Sequence, residues 1–458
     1  MPVPSGEIIL NAFTMNTPVH LTTGLWRHPR DRSRRYLDID HWIELARTLE
    51  GGGIDAMFIA DVLGVYDVFG GSPDAALRTG AQVPVNDPLG LIPAMAAATE
   101  HLGFGMTASI SFEHPFPFAR RMSTLDHLTN GRIAWNVVTG YLASGMLNLG
   151  VPGQVAHDRR YDIAGEYLRV CYKLWERSWE DDAVILDAAG DVYTDPAKVH
   201  PIRHDGEFFR VPGIHLAEPS PQRTPFLYQA GASPRGLRFA GQHAEGVFVA
   251  SPSVSILAAQ VAAVAEAVAA AGRDPRSVPV INQQTVVVAE TDAEARRLFS
   301  EYLEYADPVG AQVLMSGWTG IDFARLDQDR VLERTDSDAI QTTVDAFTSA
   351  DPTRTWTPRQ IGEYAAIGGD GPVLVGSPET VADALEEIVA ASGAGGFNLA
   401  AVAVPESWEQ IVGLLVPELR RRGRVKEAYR PGTLRAKLGA ADRLQAPHPG
   451  ATITLDPA

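Results

Sequence analysis

The stretch LYQAGASPRG, residues 227–236, turns from an apolar run into a small, glycine-flanked corner and then into a helical pattern. Ser233 can accept a hydrogen bond from a backbone N–H of that helix, and Pro234 suits the first helical position because it has no N–H. Gly231, with an alanine on each side, would let a ligand approach the backbone, and helix N-termini attract phosphate groups. The corner therefore predicts either a plain helix cap or a phosphate site.

Polar side chains also lie at the ends of three other apolar runs. FIAD ends in Asp61, GMTAS carries Thr107, and WNVVTG carries Asn136 and Thr139. An asparagine offers both a donor and an acceptor, which suits the mixed hydrogen-bonding edge of a flavin or a similar heterocycle. If the runs are strands of one barrel, we expect these four side chains at its mouth.

Three histidines near predicted strand ends are candidate proton donors, namely His114, His157 and His20. In HDRRYDIAGEY, His157 and Tyr161 are four residues apart, so both could reach one ligand from a single helical face. A position in a surface loop is an equally good interpretation of His20.

Hydrolytic chemistry fits the sequence poorly. The spacing around Ser233 is G-x-S-x-x-G rather than G-x-S-x-G, and the proline that follows has no N–H to donate to an oxyanion. The first predicted strand ends in NAFT and lacks the His-x-His of a metal-dependent barrel hydrolase. His200 and His204 flank a proline in a predicted loop and are weak candidates for metal ligands, so we predict no metal site.

Eight short runs rich in Val, Ile, Phe and Ala alternate with amphipathic helical patterns along the chain. Apolar strands that are each followed by a helix indicate a parallel sheet, and eight such units favour a (β/α)8 TIM barrel. The predicted strands are Ile8–Phe13, Ala56–Asp61, Gly103–Ser109, Arg132–Thr139, Pro225–Ala232, Gly246–Ser251, Val280–Ala289 and Gly396–Val404.

The barrel is predicted to form a single domain over residues 1–458 with three additions. Insertions at about 140–224 and 306–378 follow strands 4 and 7, at the end of a barrel where active sites are built. A C-terminal extension at about 422–458 is expected to wrap the outside of the barrel or a neighbouring subunit. The second insertion combines five aromatic residues with a glycine cluster at 368–371, which predicts a lid over the barrel mouth.

Composition limits the classes of partner. The 458 residues are 45% hydrophobic, which is enough for a large core, and a net charge of -17 repels nucleic acid and anionic lipid. Neither a basic leader nor an apolar run of about 20 residues is present, so we expect a cytoplasmic protein with no membrane contact. The single cysteine, Cys171, excludes an intramolecular disulfide and is expected in the core.

Several long motifs, in a fixed order, resemble a known family. They are FIAD, GMTAS, RIAWNVVTG, HDRRYDIAGEYLRVCYKLWE, AGDVYTDPAKVHPIRHDGEFFRVPG and LYQAGASPRG. Over nearly the whole chain the sequence is similar to the flavin-dependent monooxygenases of the bacterial-luciferase-like superfamily. The subgroup is that of the nitrilotriacetate, dibenzothiophene-sulfone, dimethyl-sulfide and long-chain alkane monooxygenases.

The resemblance implies a two-component monooxygenase. It implies a barrel that binds reduced FMN (FMNH2) supplied by a separate NAD(P)H:flavin reductase, and that inserts one oxygen atom from O2 through a flavin C4a-peroxide. We also expect a homodimer or a homotetramer. The flavin-binding positions implied are Asp61, Thr107, Asn136, His157 and Tyr161, with Thr139 beside them at the barrel mouth, and the phosphate positions are Ala230, Gly231, Ala232 and Ser233.

The resemblance also implies a cis peptide bond between Ala108 and Ser109, pressed against the flavin. For the substrate, NTPVHLTTGLWRHPRDR and YDVFGGSPDAALRTGAQVPVNDP look closest to the dimethyl-sulfide branch, and Trp318 stands where dibenzothiophene-sulfone enzymes have a histidine. A small apolar or organosulfur substrate is therefore the first choice, and an aminopolycarboxylate is the second. A deazaflavin F420-dependent oxidoreductase and a non-catalytic flavin-binding protein remain as alternatives.

Overall fold

Eight parallel strands form a closed ring in the computed structural model, which describes residues 6–151, 157–231, 233–333, 341–348 and 355–456. The strands are β1 (Ile9–Met15), β2 (Ala56–Ala60), β3 (Gly103–Ser109), β4 (Ile133–Val138), β5 (Phe226–Ala230), β6 (Gly246–Val249), β7 (Val280–Val288) and β8 (Gly396–Ala400). They follow one another around the ring in chain order, and pairing of β1 with β8 completes it. The predicted (β/α)8 barrel and its eight strands are confirmed.

Helices follow the strands and cover the outer face of the barrel. The α-helices are Ile39–Gly52, Asp74–Thr79, Ile92–Ala97, Pro115–Leu128, Ala143–Asn148, His157–Tyr172, Pro234–His243, Val254–Ala270, Asp292–Leu303, Pro308–Thr319, Gln341–Thr348, Pro358–Ala365, Pro378–Ser392, Glu406–Gln410, Val416–Arg421, Leu434–Lys437 and Pro449–Thr452. Two π-helical turns, Lys173–Arg177 and Ile411–Leu415, continue longer helices. No helix in the described ranges is long and apolar enough to cross a membrane.

Side chains fill the barrel interior. Phe58 of β2 and Tyr228 of β5 both contact the ring of Phe248 on β6, with centroids 4.4 and 4.2 Å apart. Leu434 of the C-terminal extension is fully buried in the same cluster. Because the interior is packed, space for a ligand lies at the mouth formed by the carboxyl ends of the strands.

The two insertions contain further small elements. The first carries the helix His157–Tyr172 and two hairpins, formed by Val184–Asp187 with Val192–Thr194 and by His204–Asp205 with Arg210–Val211. The second contributes helices and the strand Val373–Gly376, which pairs with the distal half of β7 and was not predicted. Its helices pack with the segments after β2 and β4 in a second apolar cluster, separate from the barrel core, which includes Tyr66, Met315, Trp318, Phe323 and Trp356.

The C-terminal extension closes the end of the barrel opposite the mouth. Arg435 is 1% exposed, and its guanidinium binds the Glu245 carboxylate at 2.6 and 3.0 Å. The same guanidinium donates to the carbonyl oxygens of Thr224 and Pro225, just before β5. The extension therefore packs against the barrel base of its own chain.

Candidate active site

A cavity of about 710 Å³ opens at the carboxyl ends of the strands. This size is within the usual range for cofactor and substrate pockets. The residues predicted from the sequence that line it are Asp61, Thr107, Asn136, Thr139, Tyr161, Ala230, Gly231 and Ser233. Ala232 and the side chain of His157 lie outside the described part of the structure.

Strand register brings two of the predicted polar residues into contact. Thr107 of β3 is level with Asn136 of β4, and Asn136 Nδ2 donates to Thr107 Oγ1 at 3.0 Å. Both side chains are buried, and Asn136 Oδ1 has no hydrogen-bond partner in the described structure. A buried amide oxygen without a partner is costly, so this atom fits a ligand that donates a hydrogen bond.

The corner after β5 is a tight cradle at the start of a helix. Ser233 Oγ accepts a hydrogen bond from Gly236 N at 3.1 Å, and Pro234 is the first residue of the helix Pro234–His243. A Cβ atom on Gly236 would lie only 2.8 Å from Tyr161 Oη, and Gly231 has a φ of +134°, which disfavours any side chain. The cap and the accessible backbone therefore occur together, and the geometry fits an anion at the helix N-terminus.

Arginines line this end of the cavity, and sequence reasoning missed them. Arg160 is 5% exposed and donates to the carbonyl oxygen of Gly140, just after β4. Arg235 forms an ion pair with Asp162, and Arg238 lies one turn further along the same helix. The sequence did contain a signal for Arg160. It lies three residues after His157 in HDRRY, so the two residues are on the same face of the helix.

The histidines occupy different environments. His20 lines the cavity with its ring edge-on to Phe13 at 4.5 Å, and burial lowers its pKa to about 3, so the ring is neutral. His114 is exposed and is not among the residues that line the cavity. Its Nδ1 instead accepts a hydrogen bond from Phe116 N at 3.3 Å and caps the helix Pro115–Leu128. The structure thus gives His114 a capping contact and does not bring it to the other candidates.

Three acidic residues line the cavity, namely Asp61, Asp158 and Asp370. Burial and, to a smaller extent, the nearby Asp87 carboxylate together raise the pKa of Asp61 to about 7. Asp370, in the glycine cluster of the second insertion, also has its pKa raised to about 7 by burial. Near neutral pH the carboxyl groups of Asp61 and Asp370 are therefore partly protonated, and each can donate or accept a proton. Among the described residues, no cluster of three or more His, Cys, Asp or Glu side chains could hold a metal ion.

A buried hydrogen-bond network lies beneath the second insertion. Trp318 Nε1 donates to Tyr66 Oη at 3.1 Å, and Tyr66 Oη donates to Gln82 Oε1 at 2.8 Å. Tyr66 has a single hydroxyl proton, so Tyr141 Oη must donate in the 2.6 Å contact between the two tyrosines. Gln82 Nε2 donates to the carbonyl oxygen of His20 at 3.0 Å. The network ties the insertion to three loops at the barrel mouth.

The predicted cis peptide bond between Ala108 and Ser109 is absent. The cis bonds of the described residues all precede prolines, at Pro84, Pro405 and Pro447. Strand β3 instead keeps its register with β4 as far as Ser109, and Trp135 Nε1 donates to the Ala108 carbonyl oxygen at 2.9 Å. A continuous ladder and a satisfied carbonyl hold this segment in the ordinary trans form.

Comparison with known proteins agrees with this geometry. A family model described as luciferase-like monooxygenase matches residues 16–395. A dimethyl-sulfide monooxygenase from Hyphomicrobium sulfonivorans is 50% identical over 447 residues, which are 97% of this chain and 93% of that protein. The crystal structure of DmoA from the same organism matches with a TM-score of 0.91 at 50% identity, over 98% of this chain and 96% of that one.

A crystal structure of riboflavin lyase, solved with a modified FMN and riboflavin, matches equally well. Its TM-score is 0.91 at 36% identity, and the match covers 98% of this chain and 99% of that one.

Proposed function

The chain belongs to the luciferase-like monooxygenase family and is an FMN-dependent monooxygenase, and we propose that its substrate is a small, uncharged organosulfur compound such as dimethyl sulfide. The observation that carries the proposal is the 50% identity to a dimethyl-sulfide monooxygenase over 97% of the chain. The apolar side chains of the cavity and its neutral His20 support the proposal.

The cavity fits FMN. The unpartnered Asn136 Oδ1 suits an N–H of the flavin ring, Thr107 is hydrogen-bonded to the same amide, and Asp61 lines the same cavity. The cradle at Gly231 and Ser233 suits the phosphate, because a helix N-terminus offers N–H groups to an anion. Arg160 and Arg238 add positive charge to the same part of the cavity. When bound, reduced FMN would supply two electrons to O2, so that one oxygen atom of O2 enters the substrate and the other leaves as water.

The chain's own residues then position the substrate and exclude water. Six large apolar side chains line the cavity, namely Phe13, Leu21, Phe58, Phe112, Leu142 and Trp318. His20 is neutral there because burial lowers its pKa to about 3. An apolar, uncharged substrate fits this lining better than an aminopolycarboxylate, whose charges would lose hydration without gaining a cation.

We propose that reduced FMN comes from a separate NAD(P)H:flavin reductase, as expected for a two-component enzyme. Chemically reduced FMN, added without any reductase, should then support oxygenation. If oxygenation still requires the reductase protein, the reductase must do more than supply reduced FMN, and this proposal is wrong.

The proposed substrate is tested with purified enzyme, FMN, NADH, a flavin reductase and O2. We expect dimethyl sulfide to be consumed with NADH oxidation coupled to it, and nitrilotriacetate and dibenzothiophene sulfone to be inert. Parallel reactions with F420 in place of FMN, or without flavin, should give no turnover. Coupled oxidation of nitrilotriacetate but not of dimethyl sulfide would overturn the proposal.

Replacing Ser233 with alanine is expected to weaken FMN binding by about 1 to 2 kcal/mol, a rise in Kd of about fivefold to thirtyfold, because one hydrogen bond to a charged group is lost. Flavin fluorescence titration measures this Kd. Ser253→Ala is the matched control, since Ser253 caps the helix Val254–Ala270 in the same way but does not line the cavity. If the two variants bind FMN with the same Kd, Ser233 is only a helix cap and does not contact the phosphate.

A further inference from the structure

A carboxyl group from the second insertion lies at the cavity wall near Trp318. Asp370 follows Gly368 and Gly369, whose φ values of +95° and +67° form a turn that residues with side chains rarely adopt. A Cβ on Gly369 would lie 3.5 Å from the Trp318 ring. Asp370 and Trp318 therefore belong to the same wall of the cavity.

Strand β7 fixes the position of this turn. Gln283 Nε2 donates to the carbonyl oxygen of Gly368 at 3.1 Å and to Thr285 Oγ1 at 3.2 Å. A Cβ atom on Gly371 would lie 2.7 Å from Gln283 Oε1, so the turn packs directly on this side chain. The Asp370 carboxyl group is thus held against the rigid barrel.

The hydrogen bonding of Asp370 is incomplete. Oδ2 accepts one long hydrogen bond, from Thr343 Oγ1 at 3.3 Å. Oδ1 is buried and has no partner within the described ranges. No cationic side chain of the described residues contributes to the pKa of Asp370, and the arginines that line the cavity lie towards the helix Pro234–His243 and Gly140. A buried carboxyl group with no cation is expected to be protonated and to offer its hydrogen to a ligand.

The titratable groups that face Asp370 from neighbouring elements are neutral. They are the hydroxyls of Tyr66 and Tyr141, from the loops after β2 and β4, and the charge of Asp370 raises the pKa of both beyond the effect of burial. Thr343, Gln283 and Trp318 carry no charge. Burial raises the pKa of Asp370 itself to about 7, and the Thr343 hydrogen bond acts against this shift.

We propose that Asp370 selects the substrate: its neutral carboxyl group donates a hydrogen bond to an uncharged acceptor on the organosulfur ligand, and it excludes anionic thioethers. This inference rests on the proposed function. A thioether sulfur accepts such a bond weakly and a sulfoxide oxygen accepts it strongly. An anionic ligand would meet no cation at this wall, and it would be repelled once Asp370 ionises.

Kinetics with two variants test the proposal. Asp370→Asn keeps a neutral donor, so we expect kcat/KM for dimethyl sulfide to stay close to the wild-type value near pH 6, whereas Asp370→Leu should lose about threefold, as a weak acceptor implies, with an unchanged Kd for FMN. Above pH 7 the wild-type kcat/KM should fall, and that of Asp370→Asn should not. The rate ratio of 3-(methylthio)propanoate to dimethyl sulfide near pH 8 should rise about tenfold in Asp370→Asn. Identical pH profiles and rate ratios for wild type and Asp370→Asn would overturn the proposal.

Asp329→Asn is the matched control, because Asp329 is an exposed carboxylate of the same insertion, paired with Arg359 at 2.8 Å and absent from the cavity lining. It should change none of these quantities.

A second measurement is independent of turnover. The infrared difference spectrum of wild type minus Asp370→Asn should contain a protonated carboxylic acid band near pH 6, and this band should shift when dimethyl sulfoxide is added as an unreactive acceptor. If dimethyl sulfide is not oxidised by any variant but the band shifts, the proposed function fails and the role of Asp370 stands. A missing or unresponsive band overturns the inference about Asp370.

Discussion

Replacing Arg435 with methionine should lower the free energy of unfolding by about 3 to 5 kcal/mol, because it leaves a buried carboxylate without its partner. Arg435 and Glu245 are 1% and 8% exposed. Burial favours the protonated form of Glu245, yet the Arg435 guanidinium holds its pKa below the usual value. The same substitution removes the hydrogen bonds to the carbonyl oxygens of Thr224 and Pro225. The loss is therefore expected to exceed that of an ordinary ion pair.

Urea unfolding followed by circular dichroism measures the effect, with Arg421→Met as the matched control. Arg421 also forms a bidentate ion pair, with Glu418, but its side chain is 70% exposed. Glu418 is 9% exposed but keeps a second partner, Arg422, at 2.6 Å, so removing the exposed Arg421 should cost about 0 to 1 kcal/mol and the control should unfold almost as the wild type does. Equal losses for the two variants would show that the base of the barrel does not depend on the buried pair.

The strand order was predictable from the sequence because burial on both faces leaves a clear pattern. A parallel strand covered by helices is mostly apolar, and turn residues mark its ends. In β7, VINQQTVVV, the second half is a continuous apolar run, and all nine residues are buried. The same logic placed Asp61, Thr107 and Asn136 at one mouth, since the carboxyl ends of parallel strands converge. The strand Val373–Gly376 is also apolar, but it is only four residues long and pairs with β7 alone, so its short run VLVG did not mark it as a strand.

Contacts that depend on tertiary packing could not be predicted in this way. Tyr66, Gln82 and Tyr141 come from separate loops and meet only after the second insertion brings Trp318 above them. In the sequence Asp370 is only part of the glycine cluster at 368–371, and its place in the cavity lining and its unpartnered oxygen emerge from the fold. The proton-donor role of His114 stays a prediction; the structure places this histidine as a helix cap outside the cavity lining, a position that its place just after a strand could not reveal.

The lid hypothesis for residues 306–378 stays a prediction. Much of the described part of this segment is buried, and some of its side chains line the cavity. The helix Pro308–Thr319 is buried almost throughout and packs against the loops after β2. Trp318, Thr343 and Asp370 all line the cavity. This segment therefore contributes side chains to the substrate end of the cavity in addition to covering it.

Replacing Gly317 with alanine should disturb the substrate end of the cavity and lower kcat/KM for the substrate strongly. The new Cβ would lie 2.0 Å from Tyr66 Cδ1 and 2.5 Å from Cε1, so the buried ring must move. Such overpacking costs about 1 to 3 kcal/mol of stability. Movement of Tyr66 breaks its hydrogen bonds with Trp318, Gln82 and Tyr141. A displacement of this size in a positioning residue is expected to lower kcat/KM for the substrate by about a hundredfold.

Two further variants, Gly51→Ala and Tyr66→Phe, show why Gly317→Ala lowers kcat/KM. The Kd for FMN should be unchanged, because the cradle at Ser233 and the Thr107–Asn136 pair lie on other elements, while hydrogen peroxide released per NADH should rise as water enters the cavity. Gly51→Ala, on an exposed helix position with no atom within 4 Å of the added Cβ, should leave every quantity near wild type. Tyr66→Phe keeps the ring but removes the hydroxyl, so a loss as large as that of Gly317→Ala would assign the effect to the hydrogen bonds rather than to the position of the ring. If Gly317→Ala keeps wild-type coupling and kcat/KM, the network beneath Trp318 does not position the substrate.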